Sequence, residues 1–99
     1  MQPEVSVIVV NRNRRHLLRC CLLSLRAQTF RNFEVIAVDN GSTDGSAEMV
    51  LAEFPEAVLI RNAENRGFCA ANNQGIRQAR APYVALLNND AEAEPHWLE

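Results

Sequence analysis

Ninety-nine residues make one domain with one core, since a chain of this length buries roughly 60–65% of the surface its unfolded form exposes. A hydrophobic fraction of 47% beside 22% charged residues excludes a disordered chain, and a formal charge of -2 excludes a polyanion-binding protein held by bulk charge. No apolar run approaches the ~20 residues of a membrane span, and Met1 to Asn11 lacks the charged start and long apolar stretch of a secretory signal. The three cysteines, Cys20, Cys21 and Cys69, have no paired or metal-like spacing and read as free thiols of a reducing cytosol. The expected location is cytoplasmic, with peripheral association at the inner face of a membrane left open.

Val5 to Val10 is apolar apart from Ser6 and rich in valine, the composition of a strand covered on both faces. Asn11 and Asn13 punctuate it, and Leu18, Cys21, Leu22 and Leu25 then recur at helical spacing between Arg14 and Gln28, with Asn13 placed to cap the helix. Phe33 to Val38 is a second apolar strand that runs into "DNGSTDGS", where Asn40-Gly41 suits a left-handed turn. The helix that follows carries a stripe of Ala47, Val50, Leu51 and Phe54, is capped by Ser42, Thr43 or Asp44, and stops at Pro55. Ala57 to Ile60 reads as a short third strand. A helix from about Gly67 to Arg80 has an inner face of Phe68, Ala71, Gly75, Ile76 and Ala79, small enough to lie close against a sheet. After Pro82 comes a fourth strand, Tyr83 to Asn88.

Strand and helix alternate throughout, which predicts right-handed crossovers around a mainly parallel sheet of about four strands in a three-layer α/β/α, Rossmann-like arrangement. Ligands of such sheets sit beyond the carboxyl ends of the strands. Asn11, Asp39 and Asp90 occupy those ends after strands one, two and four, so one crevice is expected to collect them.

A dinucleotide fold also keeps an acid after its second strand, but it needs a glycine-rich turn after the first, where this chain has "NRNRRH". There is no Walker A sequence. A bound diphosphate therefore calls for another neutralising group, and a divalent cation, Mg²⁺ or Mn²⁺, held by Asp90 is the natural one. A receiver domain of the flavodoxin-like kind wants paired acids after strand one, where Asn11 and Arg12 stand.

Three blocks in order, "VSVIVVNRNRRHLLRCCLLSLRAQTFRNFEVIAVDNGSTDGS", "NRGFCAANNQGIRQA" and "YVALLNNDAEAEP", resemble the N-terminal, nucleotide-binding part of a GT-A glycosyltransferase of family 2. The likeness is nearest to the rhamnosyltransferase-like branch and spans essentially the whole chain. It implies an inverting enzyme that moves a sugar from a nucleotide diphosphate donor, dTDP-rhamnose or a UDP-sugar, to a saccharide or lipid-linked acceptor in cell-surface polysaccharide synthesis. It also implies that Asp39 contacts the base with Asn11 beside it. The acid-any-acid metal motif becomes Asn88-Asn89-Asp90, so Asp90 is the metal ligand, Asn89 a nucleotide neighbour, and Asn72 stands where other branches often have arginine.

The family's general base lies beyond its metal motif, so residues 1–99 are expected to be the truncated nucleotide-binding half. Such a fragment is expected to be inactive alone and to self-associate, through an uncovered fourth strand or through apolar surface that the missing half would cover. The other functional class is a nucleotide-sugar-binding module without catalysis. Taken alone, Asp90 is a solvated strand end, Asp39 a turn acid, Asp44 a helix cap, and Arg12, Arg14, Arg15 and Arg19 a solvated helix face near the crevice. Arg66 shares that ambiguity, His16 and His96 have no readable partner, and Glu92 and Glu94 read as an exposed acidic strand rather than further ligands.

Overall fold

The computed structural model describes residues 2–99; Met1, where the reading for a secretory signal begins, lies outside the described residues. Seven elements alternate: β1 (Val5–Asn11), α1 (Arg15–Arg26), β2 (Phe33–Asn40), α2 (Ser46–Glu53), β3 (Val58–Asn62), α3 (Phe68–Gln78) and β4 (Tyr83–Leu86). All strand pairs are parallel, in the order β3-β2-β1-β4. Because successive side chains leave a strand on opposite faces, Val7, Val9 and Ala37 meet α1 and α2 through Leu18, Leu22, Leu25, Val50 and Phe54. Ile8, Ile36 and Val38 meet α3 through Ala71 on the other face. The three-layer α/β fold expected from the alternation is the one observed. No helix among the described residues is long and apolar enough to cross a membrane.

Chain direction explains the order. From β1 to β3 the sheet grows one way with both helices on one face; from β3 the chain crosses back over the other face and lays β4 on the far side of β1, as right-handed crossovers require. β1 and β4 are thus neighbours whose helices, α1 leaving β1 and α3 entering β4, lie on opposite faces of the sheet, the arrangement of a topological switch point. β4 pairs with β1 only from Val5 to Ile8, and after the Leu87 N–H donates to the Ile8 carbonyl at 3.0 Å the chain turns away. Val9 to Asn11 are left without a β4 partner, and a notch opens at the carboxyl end of the sheet.

Several local expectations are corrected. Asn13 does not cap α1: it takes a left-handed φ of 53°, its N–H donates to Ser42 Oγ, and its Oδ1 accepts the Thr43 N–H at 2.7 Å. Asp44 serves the starts of both helices instead, accepting from the Arg15 N–H at 3.0 Å and from the N–H and hydroxyl of Ser46. Burial by itself raises the Asp44 carboxyl, but the hydrogen bonds from Ser46 and Arg15 outweigh it and hold the group below its ordinary range. The stripe of α2 is narrower than its sequence spacing implies: Ala47, Val50 and Phe54 dock, and Leu51, turned about 100° from Val50, is 59% exposed. On α3 the docking residues are Ala71, Asn72 and Gly75, so Phe68 and Ile76 are exposed. The segment after β4 is not a strand; Ala93 and Leu98 pack on the α1 side while Gln28 ties it down, its Nε2 donating to the Glu94 carbonyl at 2.6 Å and its Oε1 accepting the Leu98 N–H.

One carboxylate fastens the α3–β4 connection. Glu34 accepts from Ser6 Oγ at 2.6 Å and from the N–H and Nε of Arg80. Burial raises this acid, yet the Ser6 and Arg80 bonds prevail and its pKa is lowered. A depressed acid stabilises the fold above its unfolded pKa of about 4.3 and loses that contribution as pH falls through the lower folded value. Thermal unfolding followed from pH 6 to pH 3 is expected to show wild type losing about 1 kcal/mol more than Glu34→Gln across that acid window. Parallel curves would remove Glu34 from the account.

Candidate functional site

The strand ends meet where the topology predicts. Asn11 and Asp39 are register partners on β1 and β2, and Asn11 Nδ2 lies 3.3 Å from Asp39 Oδ1. Asp39 Oδ1 also accepts the Ser42 hydroxyl at 2.6 Å, and Oδ2 accepts the Ser42 N–H at 3.1 Å. Across the notch, Asn89 turns back and donates through Nδ2 to Asn11 Oδ1 at 2.9 Å. One connected set of side chains therefore joins the ends of β1, β2 and β4. It is deeply placed, Asn11 being 1% and Asp39 2% exposed. Full pairing offsets the cost of burying these groups. It also leaves Asp39 Oδ2 with capacity for one further donor.

Beside this set lies an open crevice of about 400 Å³, lined by Val10, Arg12 and Arg14 from β1 and its loop, by Asn40, Asn65, Gly67 and Phe68, and by Asn88, Asn89 and Asp90. Arg12, Arg14 and the N-terminus of α3 place positive character on its walls. Asp90 is exposed at the rim and makes no side-chain hydrogen bond or ion pair among the described residues. A smaller hollow of about 170 Å³, against Phe33 and Phe54, lies at the other end of β2, away from these groups.

The four clustered arginines divide. Arg12 and Arg14 line the crevice, whereas Arg15 and Arg19 face α2, where Arg19 Nε pairs with Glu53 at 2.7 Å. Asn72, on the sheet-facing side of α3 and 8% exposed, is not part of the crevice wall. His96 bonds Thr29 and Glu99 and does not line the crevice. Buried beneath Asn88, the Cys21 thiol donates to the Asn88 carbonyl at 3.7 Å, and burial, with Asp90 and Glu92 adding negative charge, pushes its pKa up to about 12. It is held as an un-ionised packing group.

The amides Asn40, Asn62, Asn65 and Gln74, which sequence reasoning passed over, form a second network beside the first. Asn40 and Asn62 are register partners joined at 3.2 Å, and Asn62 and Gln74 exchange two hydrogen bonds at 2.7 and 2.9 Å. The available signal was the polar residues at the ends of β2 and β3, which suit a strand end reaching water equally well.

Among the described residues no three His, Cys, Asp or Glu side chains gather. Mg²⁺ commonly takes one or two protein carboxylates and completes its shell with water and phosphate oxygens. Asp90, an unengaged oxygen donor at a crevice with basic walls, fits a cation that arrives with a diphosphate and does not fit an all-protein cage.

An all-parallel α/β domain with polar side chains gathered at its switch point has the layout of the nucleotide-binding α/β folds, here of the GT-A type. The chain belongs to glycosyl transferase family 2, whose family model matches residues 6–99. Glycosyltransferase GlyA of Streptococcus pneumoniae is 35% identical over 101 residues, covering 100% of this chain and 14% of GlyA. The crystal structure of S. aureus TarS 1-349 in complex with UDP superposes with a TM-score of 0.88 at 27% identity, over 96% of this chain and 30% of that one. The mannosyltransferase PcManGT of Pyrobaculum calidifontis, in complex with GDP-Man and Mn2+, superposes with a TM-score of 0.81 at 31% identity, over 92% and 28% of the two chains. The chain spans between 14% and 34% of the length of the curated relatives first matched.

Proposed function

We propose that these residues form the donor-binding part of an inverting glycosyltransferase that uses a nucleotide diphosphate sugar in cell-surface polysaccharide synthesis. The observation that carries the reading is the junction of Asn11, Asp39 and Asn89 beside a basic-walled crevice with an unengaged Asp90 at its rim. UDP in TarS and GDP-Man with Mn2+ in PcManGT support a nucleotide sugar as the ligand class. Within that class we assign a UDP-sugar or dTDP-rhamnose, the latter on the rhamnosyltransferase-like blocks.

In this reading Asp39 takes the base edge through Oδ2, with Asn11 and Ser42 fixing its rotation; because it is 2% exposed, the Ser42 side of the pocket must open for contact. Arg12, Arg14 and the first-turn N–H groups of α3 face the phosphates, Asn89 holds the β4 end against β1, and Asn72, which lies outside the crevice wall, is assigned to the nucleotide site on the family resemblance alone. Asp90 is the carboxylate that would hold Mg²⁺ or Mn²⁺, which when bound supplies Lewis-acid neutralisation of the departing diphosphate. An inverting transfer forms the bond from the acceptor oxygen to the anomeric carbon as the bond to the diphosphate breaks, with the hydroxyl proton passing to a general base. None of the 99 residues is assigned as that base, so they bind donor without transferring it. The acceptor is proposed to be a saccharide or a lipid-linked one, the latter agreeing with peripheral membrane association of a cytoplasmic enzyme.

An amide NMR titration with dTDP, UDP and GDP, each with Mg²⁺ and then trace Mn²⁺, tests the reading. One nucleotide is expected to shift Asn11 and Asp39, with Mn²⁺ broadening Asp90 only when that nucleotide is present. No shift with any of the three at millimolar concentration would overturn it. We also propose self-association of this chain through β4, an outermost strand with Tyr83, Val84 and Leu86 exposed and no charged residue among them. Light scattering at rising concentration should show a growing mass, and a strict monomer would refute the interface.

A further inference from the structure

The residue after Asp39 uses its whole side chain on the crevice wall. Asn40 is 3% exposed, its Oδ1 accepting the Arg66 N–H at 2.9 Å and Asn62 Nδ2 at 3.2 Å. Its Nδ2 donates to Asn65 Oδ1 at 2.9 Å and to the Gly67 carbonyl at 3.3 Å. That carbonyl also receives the Ala71 N–H at 3.1 Å and so begins α3, while Asn65 Oδ1 accepts the Gly67 N–H at 2.9 Å. A single buried amide thus grips the β3–α3 loop at Asn65, Arg66 and Gly67. Gly41 completes the fit: at φ +81° it lies so close under the loop that an added Cβ would stand 2.8 Å from Glu64 backbone atoms. Asn40, Asn65, Gly67 and Phe68 are all crevice wall.

We infer that Asn40 is a positioning residue for the donor crevice: by pinning the β3–α3 loop it sets where Gly67, Phe68 and the first turn of α3 stand against the bound diphosphate. The inference rests on the nucleotide reading above. It needs asparagine in particular, because both the donor and the acceptor ends are used; aspartate keeps the acceptor bonds and loses both donor bonds. The same network continues from Asn62 to Gln74, outside the crevice wall. Gln74→Ala therefore removes hydrogen bonds of that network without releasing the loop, and separates positioning from stability.

The test compares wild type, Asn40→Asp and Gln74→Ala by hydrogen exchange of the Arg66 and Gly67 amides. Dissociation constants for UDP, dTDP and GDP with Mn²⁺ are measured alongside, well below each melting temperature. Losing the two donor bonds in Asn40→Asp is expected to speed Gly67 exchange and to weaken the tightest nucleotide roughly tenfold. Gln74→Ala, with a comparable loss of melting temperature, should leave both within about twofold of wild type. Equal weakening in the two variants, or wild-type affinity in Asn40→Asp, overturns the inference. Should Asn40→Asp not fold, Gly41→Ala displaces the same loop and is expected to give the same loss; unchanged affinity there counts against it equally. If wild type binds none of the three nucleotides, the donor reading fails and the affinity claim with it. Unchanged Gly67 exchange in Asn40→Asp would instead sink the pinning itself.

Discussion

Asp90→Ala is expected to weaken nucleotide binding on the order of 100-fold in the presence of Mn²⁺ and to leave metal-free binding unchanged. The asymmetry follows from the site. Asp90 is the sole carboxylate among the residues lining the crevice, is exposed, and supports no other side chain. A cation held there has no substitute protein ligand in that wall once it is removed. Stability should hardly move, since substitution of an exposed, unpaired side chain usually costs less than about 0.5 kcal/mol. Calorimetric titration of the tightest nucleotide with and without Mn²⁺ measures both limbs. If Mn²⁺ still strengthens binding in Asp90→Ala, the metal is held elsewhere and Asp90 is a solvated acid in the turn after β4.

Gly75→Val is expected to be the most damaging single substitution to the fold. α3 rests on β1 and β2 so closely that a Cβ at Gly75 would lie 2.5 Å from Ile8 Cγ2, 2.9 Å from Ile8 Cδ1 and 3.4 Å from Val38 Cγ2. Ile8 and Val38 are 1% and 0% exposed and have nowhere to withdraw. For Gly75→Ala two effects compete: helix propensity gains about 1 kcal/mol, and overpacking costs about 1–3 kcal/mol. The net loss is therefore modest. Valine adds two methyl groups to the same clash and gives back most of the propensity gain, so a loss of at least about 3 kcal/mol is expected. For a domain of this size that lowers Tm by roughly 12–24 °C. Circular dichroism melting of the three chains decides the matter; a valine variant melting close to wild type would show that α3 can lift from the sheet without cost. Since α3 carries the Gly67–Phe68 wall, nucleotide affinity should fall with it.

Much of this was legible in the sequence because the relevant code is local. Valine-rich runs ending in polar residues, helical spacing between them, and small residues at Ala71 and Gly75 determined seven elements, their order and a parallel sheet. The polar residues Asn11 and Asp39 at strand ends and Asp90 in the turn after β4 were identifiable for the same reason, and the three sequence blocks carried the family. Local patterns failed where a side chain had distant options. Asn13 has the chemistry of a cap, but the left-handed turn and the Ser42–Thr43 loop, 29 and 30 residues away, claim it first. Arg15 and Arg19 sit within a few residues of Arg12 and Arg14, yet a helix beginning between them turns them to the opposite side.

By itself, then, the sequence determined where each strand ends to within two residues, with β4 stopping at Leu86 rather than Asn88, and that those ends face one way. Only the tertiary structure decided that β4 lies beside β1, that it stops short and leaves a notch, and that Asn89 closes onto Asn11 across 78 residues of chain. It alone also joined Asn40 to Asn62 and, through Asn65 and Gly67, to the start of α3. The reason is physical: hydrophobic periodicity specifies which face of each element is buried, whereas register, crossover direction and the pairing of polar ends arise only when separate elements pack on one another.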